Sequence, residues 1–350
     1  MNKRVVIFGG SFDPIHNGHI SVALAALRQL NAQACWLIPA FEAPLKHRKL
    51  TDFAHRTAMI KGAISKYEQL FLCEIESTLP TPNYTITTLL RLKQLHPDIE
   101  FVLLIGADQA ADLQRWKQPE LIRQNALIAV YPRSGYEVPE GFLTVDQPVI
   151  EVSSTDIRMG RSIDATIPVL RYMMSKNLYT EQIVASMISE KRMQHVLRVT
   201  ELTRRLALRY GIDADKAVLA GLFHDAVKQW PKERLLLWMR RFRPHQIDLH
   251  PQIWHSFVAA DVLKHNYHIH DTCVLQAIAH HVQGNSSCLL AKILYVADKI
   301  EPGRGYDTQP LIDLAFRDIH KATRIVKSMQ AEYLRKERWN DINGNHHQSH

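Results

Sequence analysis

Cysteine is scarce. The 350 residues carry four, Cys35, Cys73, Cys273 and Cys288, and none falls in a CxxC pair. That spacing excludes a zinc ribbon and a disulfide framework and points to a reducing compartment. Long apolar runs are missing as well. No stretch reaches the roughly 18–20 apolar residues of a membrane helix. The opening MNKRVVIFGGSF holds too short an apolar run for a secretory signal, so a cytoplasmic location is expected. There is no internal repeat and no Gly/Ser-rich linker. Charge of one sign does not dominate either: 43 Lys+Arg stand against 35 Asp+Glu, a net charge of +8. Such an excess suits nucleotide polyphosphates and gives no ground for nucleic-acid binding.

What is present divides in two. A hydrophobic share of 46% with 22% charged residues is ordinary for a chain with a sizeable core, and 350 residues fit two domains. Histidine separates the halves: five lie before residue 179 and fourteen after it, of 19 in all. In the first half, the apolar runs RVVIF (4–8), CWLI (35–38), LFLCE (70–74), FVLLI (101–105) and ALIAV (126–130) read as buried strands. Helical patterns such as 19–30 and 84–96 separate them. This alternation predicts a parallel sheet covered on both faces, with ligands at the carboxyl ends of its strands. From residue 180 onward strand-like runs vanish. Helical periodicity takes over at 182–209, 215–227, 232–242, 253–264, 272–281, 289–300 and 311–333, so the second half is expected to be all-α. The expected division is 1–178, 182–338 and a polar, disordered tail at 339–350.

Chemistry concentrates in a few places. GGSFDPIHNGH (9–19) follows the first strand and opens a helix. Glycines let backbone approach a phosphate, the helix N-terminus offers unpaired N–H groups, and His16 and His19 project together toward the same anion. In the second half His195, the adjacent pair His224 and Asp225, His255, His281 and Asp298 come from successive helical segments. Imidazole and carboxylate ligands suit iron, manganese, cobalt, nickel or zinc, and a bundle can gather them in its interior. A charged dyad inside the apolar run AVLAGLFHDAVK is costly unless a metal or partner satisfies it. His245, His250, His265, His268 and His270 read as surface or packing histidines.

The first half resembles the HxGH nucleotidyltransferases, and within them nicotinate-nucleotide adenylyltransferase. The segments NYTITTL (83–89), GADQAADLQRWK (106–117) and VSSTDIR (152–158) join the first motif in carrying that resemblance. It implies a Rossmann-like parallel-sheet domain. Gly9, Gly10, Ser11 and Phe12 would line the nucleotide site, and His16, His19 and Lys46 would hold the ATP phosphates. Tyr84, Thr85 and Trp116 would surround nicotinate mononucleotide, and Asp108 would lie near the ribose or the adenylate. Ser153, Ser154, Thr155 and Arg158 would close on the triphosphate, with Mg²⁺ accompanying ATP. The chain departs from the family at Leu45, where a histidine is usual, and at Thr87, where an acidic residue is frequent.

The second half resembles HD-domain phosphohydrolases of the symmetrical diadenosine tetraphosphatase family. KRMQHVLRV, GLFHDAVKQWP, IWHSFVAADVL, AIAHHVQG and YVADKIEPGR carry that resemblance. It implies two divalent transition metals, iron or else manganese or cobalt. His195, His224, Asp225 and Asp298 would hold one, and His255 and His281, with Asp225 bridging, the other. His280 stands where the family has an aromatic, and register favours His281 as the ligand. Lys228, Lys299 and Arg304 would meet the polyphosphate, a helix-end ion pair being the alternative for Glu301 and Arg304. The expected function is bifunctional. One activity joins ATP and nicotinate mononucleotide into nicotinate adenine dinucleotide and pyrophosphate. The other cleaves diadenosine tetraphosphate into two ADP. The rivals are an adenylyltransferase with a silent regulatory or oligomerisation HD domain, and an N-terminal pantetheine-phosphate adenylyltransferase. Oligomeric state is left open.

Overall fold

The computed structural model describes residues 3–42, 49–148 and 151–344, with side chains as far as residue 335. The chain forms two compact units, Met1–Tyr172 and Met173–His350. The division falls within a helix, a few residues before the boundary expected from sequence.

The first unit contains β1 (Lys3–Gly10), α1 (Asn17–Gln29), β2 (Ala34–Pro39), α2 (Phe53–Ile64), β3 (Leu70–Leu72) and α3 (Thr85–Leu95). It continues through β4 (Ile99–Gly106), α4 (Ala107–Ala111), α5 (Pro119–Asn125), β5 (Leu127–Tyr131), β6 (Leu143–Thr144) and α6 (Ser154–Arg158). Helix α7 (Ile167–Ser175) carries the chain across the division. The six strands lie in the order β3-β2-β1-β4-β5-β6 and all neighbours are parallel. The continuous apolar runs of β1 and β4 follow from burial on both faces. Val5, Ile7, Phe101, Leu103 and Ile105 pack on one face with Ile86, Leu89 and Leu92 of α3 and Ile122 of α5. The alternate residues Val6, Phe8, Val102 and Leu104 are equally buried and point the other way. Each such side chain contributes roughly 1.5–3 kcal/mol by leaving water.

The strand order reverses between β1 and β4, which pair with Phe8 opposite Leu104. A parallel sheet opens a crevice at that point, beyond the carboxyl ends of its strands. The GGSFDPIH loop leaves β1 there. The two-residue β6 escapes a sequence reading. Leu143 and Thr144 are exposed, and the strand exists through its pairing with Ala129 and Val130 of β5.

The second unit is helical: α8 (Thr180–Ala185), α9 (Glu190–Arg209), α10 (Ala214–Phe223), α11 (Lys232–Phe242), α12 (Trp254–Asn266), α13 (Thr272–His280), α14 (Leu289–Ile300), α15 (Gln309–Arg317) and α16 (Ile319–Gly344). Helix α9 buries a stripe that includes His195, Val199, Leu202 and Leu206, at helical spacing. Helices α12 and α14 are buried nearly all round and form the centre of the unit. Two expected helices are each broken once. Segment 182–209 divides at Ser189, whose hydroxyl accepts from the Arg192 amide and caps α9. Segment 311–333 divides at Asp318, extended at φ −151°, whose carboxylate accepts from the Lys321 amide. Segment 215–227 stays helical only to Phe223; tight turns follow, with Ala226 N–H bonded to Phe223 and Lys228 N–H to Asp225. The dyad His224 and Asp225 sits at that break. Helix α16 runs to Gly344, into the segment expected to be disordered, and 345–350 lie outside the described residues. Among the described residues no helix is long and apolar enough to cross a membrane.

Candidate active sites

In the first unit, β1 delivers the loop of residues 11–16 to the crevice, and α1 begins at its end. Phe12 takes a left-handed backbone (φ 44°), and its ring is buried against Phe8 and His19 at centroid distances of 5.7 and 5.0 Å. It wedges His19 in place from beneath, where sequence placed it along the nucleotide. The His16 amide donates to His19 Nδ1 at 3.2 Å. In the neutral ring that leaves the proton on Nε2, so His19 presents a donor on its far side. His16 lies against it, ring centroids 3.7 Å apart. Burial, reinforced by the Arg133 charge and opposed by Asp164, pushes its pKa down to about 4, so it is neutral near pH 7. Gly18 packs closely here. A Cβ would stand 3.0 Å from the His16 ring and 3.2 Å from Val152.

The loop is braced from two sides. Arg56, buried in α2, donates to the Ser11 carbonyl at 2.9 Å and to that of Thr51 at 2.8 Å. Ser154 donates to the Pro14 carbonyl at 2.8 Å, and Arg158 donates to the Asp13 carbonyl and to Thr155 Oγ1. Ser153 caps α6 by accepting from the Asp156 amide at 3.1 Å. Ser154 and Arg158 thus also hold the backbone that presents the histidines. Gly9 and Gly10 end β1 beside this loop.

Across the crevice, Asp108 stands in the first turn of α4, and its Oδ1 lies 3.5 Å from Arg133 Nε just beyond β5. Tyr84, at the start of α3, and Trp116 are half-buried against the face that carries Val5 and Ile105. Lys117 Nζ sits over the Tyr84 ring at 4.3 Å, and Thr85 opens α3. Lys46 lies outside the described residues.

In the second unit the six expected ligands converge. His195 Nε2 lies 3.2 Å from Asp298 Oδ1, and His224 Nε2 lies 3.9 Å from the same oxygen. On Asp225, Oδ2 is 3.8 Å from His224 Nε2, while Oδ1 is 3.1 Å from His255 Nε2 and 3.4 Å from His281 Nε2. The two oxygens of one carboxylate therefore face different sets of imidazoles. Outside the cluster, Nδ1 of His224, His255 and His281 meets the carbonyls of Gly221, Gln252 and Ile278 at 2.6–2.8 Å. His195 Nδ1 meets Glu301 Oε1 at 3.1 Å. These acceptors fix the proton on Nδ1 and turn each Nε2 lone pair inward. His224 Nε2 is buried with no hydrogen bond among the described residues, and burial pushes that imidazole down to about 4. Burial alone would raise the Asp225 and Asp298 carboxyls. Contact with the surrounding imidazoles outweighs it for Asp225, and the charge of Lys299 with contact to His195 does so for Asp298. Both are held well below the usual carboxylate range. Four imidazoles and two carboxylates converging in a buried space are the donor set of divalent transition metals, and the residues fit that group. Two overlapping trios, His195-His224-Asp298 and His224-Asp225-His281, each bring their ligand atoms within 4.8 Å.

His280 points elsewhere: its Nδ1 meets Asn285 Oδ1 at 2.6 Å, toward solvent. Lys228 Nζ lies 3.1–3.2 Å from the His255 ring nitrogens, Lys299 Nζ 2.7 Å from Asp298, and Arg304 Nη2 3.0 Å from Asp298. Glu301 is buried, accepts from Arg198 at 2.6 Å and orients His195, a larger role than a helix-end ion pair. Sequence missed Glu301 in that role, together with Arg192 beside Asp225 (3.1 Å), Arg56 and Arg133. Only Arg133 left a signal, its place just past the carboxyl end of a buried strand.

Comparison with known proteins follows the same division. Residues 7–160 match the cytidylyltransferase-like family model, and residues 192–303 match the HD domain. A probable nicotinate-nucleotide adenylyltransferase/Ap4A hydrolase of Mycoplasma pneumoniae is 30% identical over 347 residues, 93% of this chain and 99% of that one. Its namesake in Mycoplasma genitalium is 29% identical over 340 residues, 92% and 96% of the two chains. A probable nicotinate-nucleotide adenylyltransferase of Porphyromonas gingivalis is 38% identical over 159 residues, 43% of this chain and 81% of that one. Likeness that runs through both units, over nearly the full length of a relative, assigns the chain to the family of two-domain nicotinate-nucleotide adenylyltransferase/Ap4A hydrolases.

Proposed function

We propose that the chain performs two reactions at two sites. In the first unit, the phosphate of nicotinate mononucleotide attacks the α-phosphorus of ATP, supplied with Mg²⁺. A new P–O bond forms, the α–β bridge breaks, and pyrophosphate leaves. No protein nucleophile is needed, so catalysis is positioning and charge stabilisation. His19 Nε2–H and the α1 amides donate to the phosphates. His16, neutral, stands beside them and carries no charge that must be neutralised. Ser153, Ser154, Thr155 and Arg158 keep the loop in register with Gly9, Gly10 and Ser11, and Phe12 supports His19. Lys46 adds a cation to the triphosphate. Asp108 takes the ribose or the adenylate, and Tyr84, Thr85 and Trp116 enclose the pyridine nucleotide. The relatives' names and the placement of the His16/His19 pair at the switch point between β1 and β4 support this assignment.

In the second unit, His195, His224, Asp225 and Asp298 would hold one divalent transition metal, and His255 and His281 with Asp225 a second, iron, manganese or cobalt. Such ions supply Lewis acidity and a water activated at neutral pH. Lys228, Lys299 and Arg304 steer the polyphosphate and neutralise its charge. The substrate is diadenosine tetraphosphate, cleaved to two ADP. The observation that carries this half is the inward turn of all four Nε2 atoms, His224 Nε2 above all, toward two shared carboxylates. An HD unit that served only regulation would have no use for a buried imidazole nitrogen without a partner.

Product analysis tests both. The protein with ATP and nicotinate mononucleotide should yield nicotinate adenine dinucleotide, at higher kcat/KM than with nicotinamide mononucleotide. A site built for a carboxylate leaves its donors unpaired against an amide. Metal-loaded protein should convert diadenosine tetraphosphate to ADP alone. Preference for the nicotinamide form, or release of AMP and ATP, would contradict the respective assignment.

A further inference from the structure

We propose that Glu76 and Asn83 are positioning residues for adenylyl transfer: through the backbone of residues 40–42 they fix the pyridine-nucleotide side of the first site against its triphosphate side. The inference rests on the adenylyl-transfer reading above and concerns how its two substrates are held in line. Ala40 extends the pairing of β1 with β2 by one bond, donating to the Gly10 carbonyl at 2.9 Å. Gly10 closes β1 beside the loop that presents His16 and His19. Beyond Ala40 the strand has ended, and the next two amides turn to side chains. Phe41 N–H donates to Glu76 Oε2 at 3.1 Å, and Glu42 N–H to Asn83 Oδ1 at 3.2 Å. Asn83 immediately precedes Tyr84 and Thr85, which open α3.

The two residues are themselves joined. Asn83 Nδ2 donates to the Glu76 carbonyl at 3.1 Å. Thr88, in the first turn of α3, donates its hydroxyl to Glu76 Oε1 at 3.1 Å. One carboxylate oxygen thus holds α3 and the other holds the segment after β2. The 3-10 turn Ile75–Thr78, which follows β3, carries Glu76 to that place. Asn83 and Thr88 are buried. Burial pushes the Glu76 carboxyl up, against the Phe41 amide, the Thr88 hydroxyl and the Arg56 charge. A carboxylate withdrawn from water is costly unless its oxygens are engaged, and here both are.

The reaction makes such a link consequential. With no protein nucleophile, the rate depends on the distance and the line between the attacking phosphate and the α-phosphorus. Arg56, Ser154 and Arg158 brace one side, acting on the carbonyls of Ser11, Pro14 and Asp13. Glu76 and Asn83 hold the other side, where α3 begins, and residues 40–42 join the two. Neither residue has to touch a substrate. Without the link each substrate still finds its own half of the site, but the pair drifts out of line. A misplacement of about 1 Å costs on the order of 10²-fold in rate.

The test uses the full-length protein and three variants. Glu76→Leu removes both carboxylate bonds. Thr88→Val removes one of them and keeps the side-chain shape. Glu76→Gln keeps both, its carbonyl accepting from Phe41 and its amide donating to the Thr88 hydroxyl. Calorimetry with nicotinate mononucleotide alone, and with α,β-methylene ATP alone, gives each affinity and the fraction of competent protein. Single-turnover quenching with Mg²⁺, ATP and nicotinate mononucleotide gives the rate of dinucleotide formation. Glu76→Leu should bind both ligands at full stoichiometry, within about twofold of wild type, yet form dinucleotide about 10–100-fold more slowly. Thr88→Val should show the same split with a smaller loss, and Glu76→Gln should stay within about threefold of the wild-type rate. A rate that falls only in step with binding stoichiometry, in Glu76→Leu and Thr88→Val alike, would make the link a support of the fold and overturn the proposal. Equal losses in Glu76→Gln and Glu76→Leu would assign the effect to charge and overturn it too. A wild type that forms no dinucleotide would defeat the adenylyl-transfer reading itself. An active wild type matched by Glu76→Leu and Thr88→Val would defeat the positioning role alone.

Discussion

His280 and His281 stand side by side in the chain and face opposite environments. His281 is buried, with Nδ1 on the Ile278 carbonyl and Nε2 3.4 Å from Asp225; His280 reaches outward to Asn285. Sequence could weigh one against the other only by register, because a residue's type is the same on either side of a helix. His281→Ala should lower bound metal by half or more and abolish hydrolysis, since a missing ligand cannot be replaced from a buried shell. His280→Ala should retain both, as metal analysis by emission spectrometry will read. His16 makes a different prediction. Its folded pKa, about 4, lies below the 6.5 of an exposed histidine. The unfolded chain therefore takes up the proton first. Stability that is full above pH 6.5 falls as the pH drops toward 4, by up to about 3 kcal/mol. His16→Asn has no such proton to bind. The difference between the two proteins in urea unfolding of the first unit should shrink on that side of pH 6.5 as acid is added, and a difference constant from pH 7 to 4 would refute it.

At the scale of elements, helix α10 meets α9 at Gly221. A Cβ there would stand 2.7 Å from Thr200 Cα, which is backbone and cannot swing aside. Gly221→Ala gains up to about 1 kcal/mol of helix propensity. Forcing the helices apart costs about 1–3 kcal/mol, so the overlap prevails and the variant should be less stable. Because the Gly221 carbonyl also orients His224, bound metal should fall with it. A variant of raised urea midpoint and full metal content would show that the crossing relaxes freely. The elements themselves were largely legible. Strands β1, β2, β4 and β5 announce themselves as apolar runs because both faces of the sheet are covered. Strand β6 does not, since two exposed residues hold their place only by pairing with β5. The breaks at Ser189 and Asp318 were open to a reading of caps, but unbroken helical periodicity across them masked the signal. The supporting charges were illegible for another reason. Glu301 acts on His195 across 106 residues, and Arg56 on Ser11 across 45. A lone Arg or Glu carries no mark of so distant a partner, whereas His16, His19, His224 and Asp225 stand in motifs whose local spacing already implies chemistry.

At the scale of the whole molecule, the chemical groups separate cleanly. Every residue assigned to adenylyl transfer precedes Tyr172, and every proposed metal ligand follows Met173. Each unit buries a core of its own, the first around β1 and β4, the second around α12 and α14. Length and the shift in histidine content already implied this division, although its position within α7 could not be read from composition. Whether one chain carries two independent active sites is decided by a crossed assay. Wild type, His19→Ala and Asp225→Ala are each measured for dinucleotide synthesis, for diadenosine tetraphosphate cleavage and for bound metal. His19→Ala should lose about 10²–10³ in synthesis through loss of one preorganised donor, with cleavage untouched. Asp225→Ala should lose its metal and its cleavage, because it deletes the carboxylate that faces both sets of imidazoles, while synthesis stays near the wild-type rate. Two folded variants that each lost both activities, or an Asp225→Ala protein that kept its metal and its cleavage, would contradict the account.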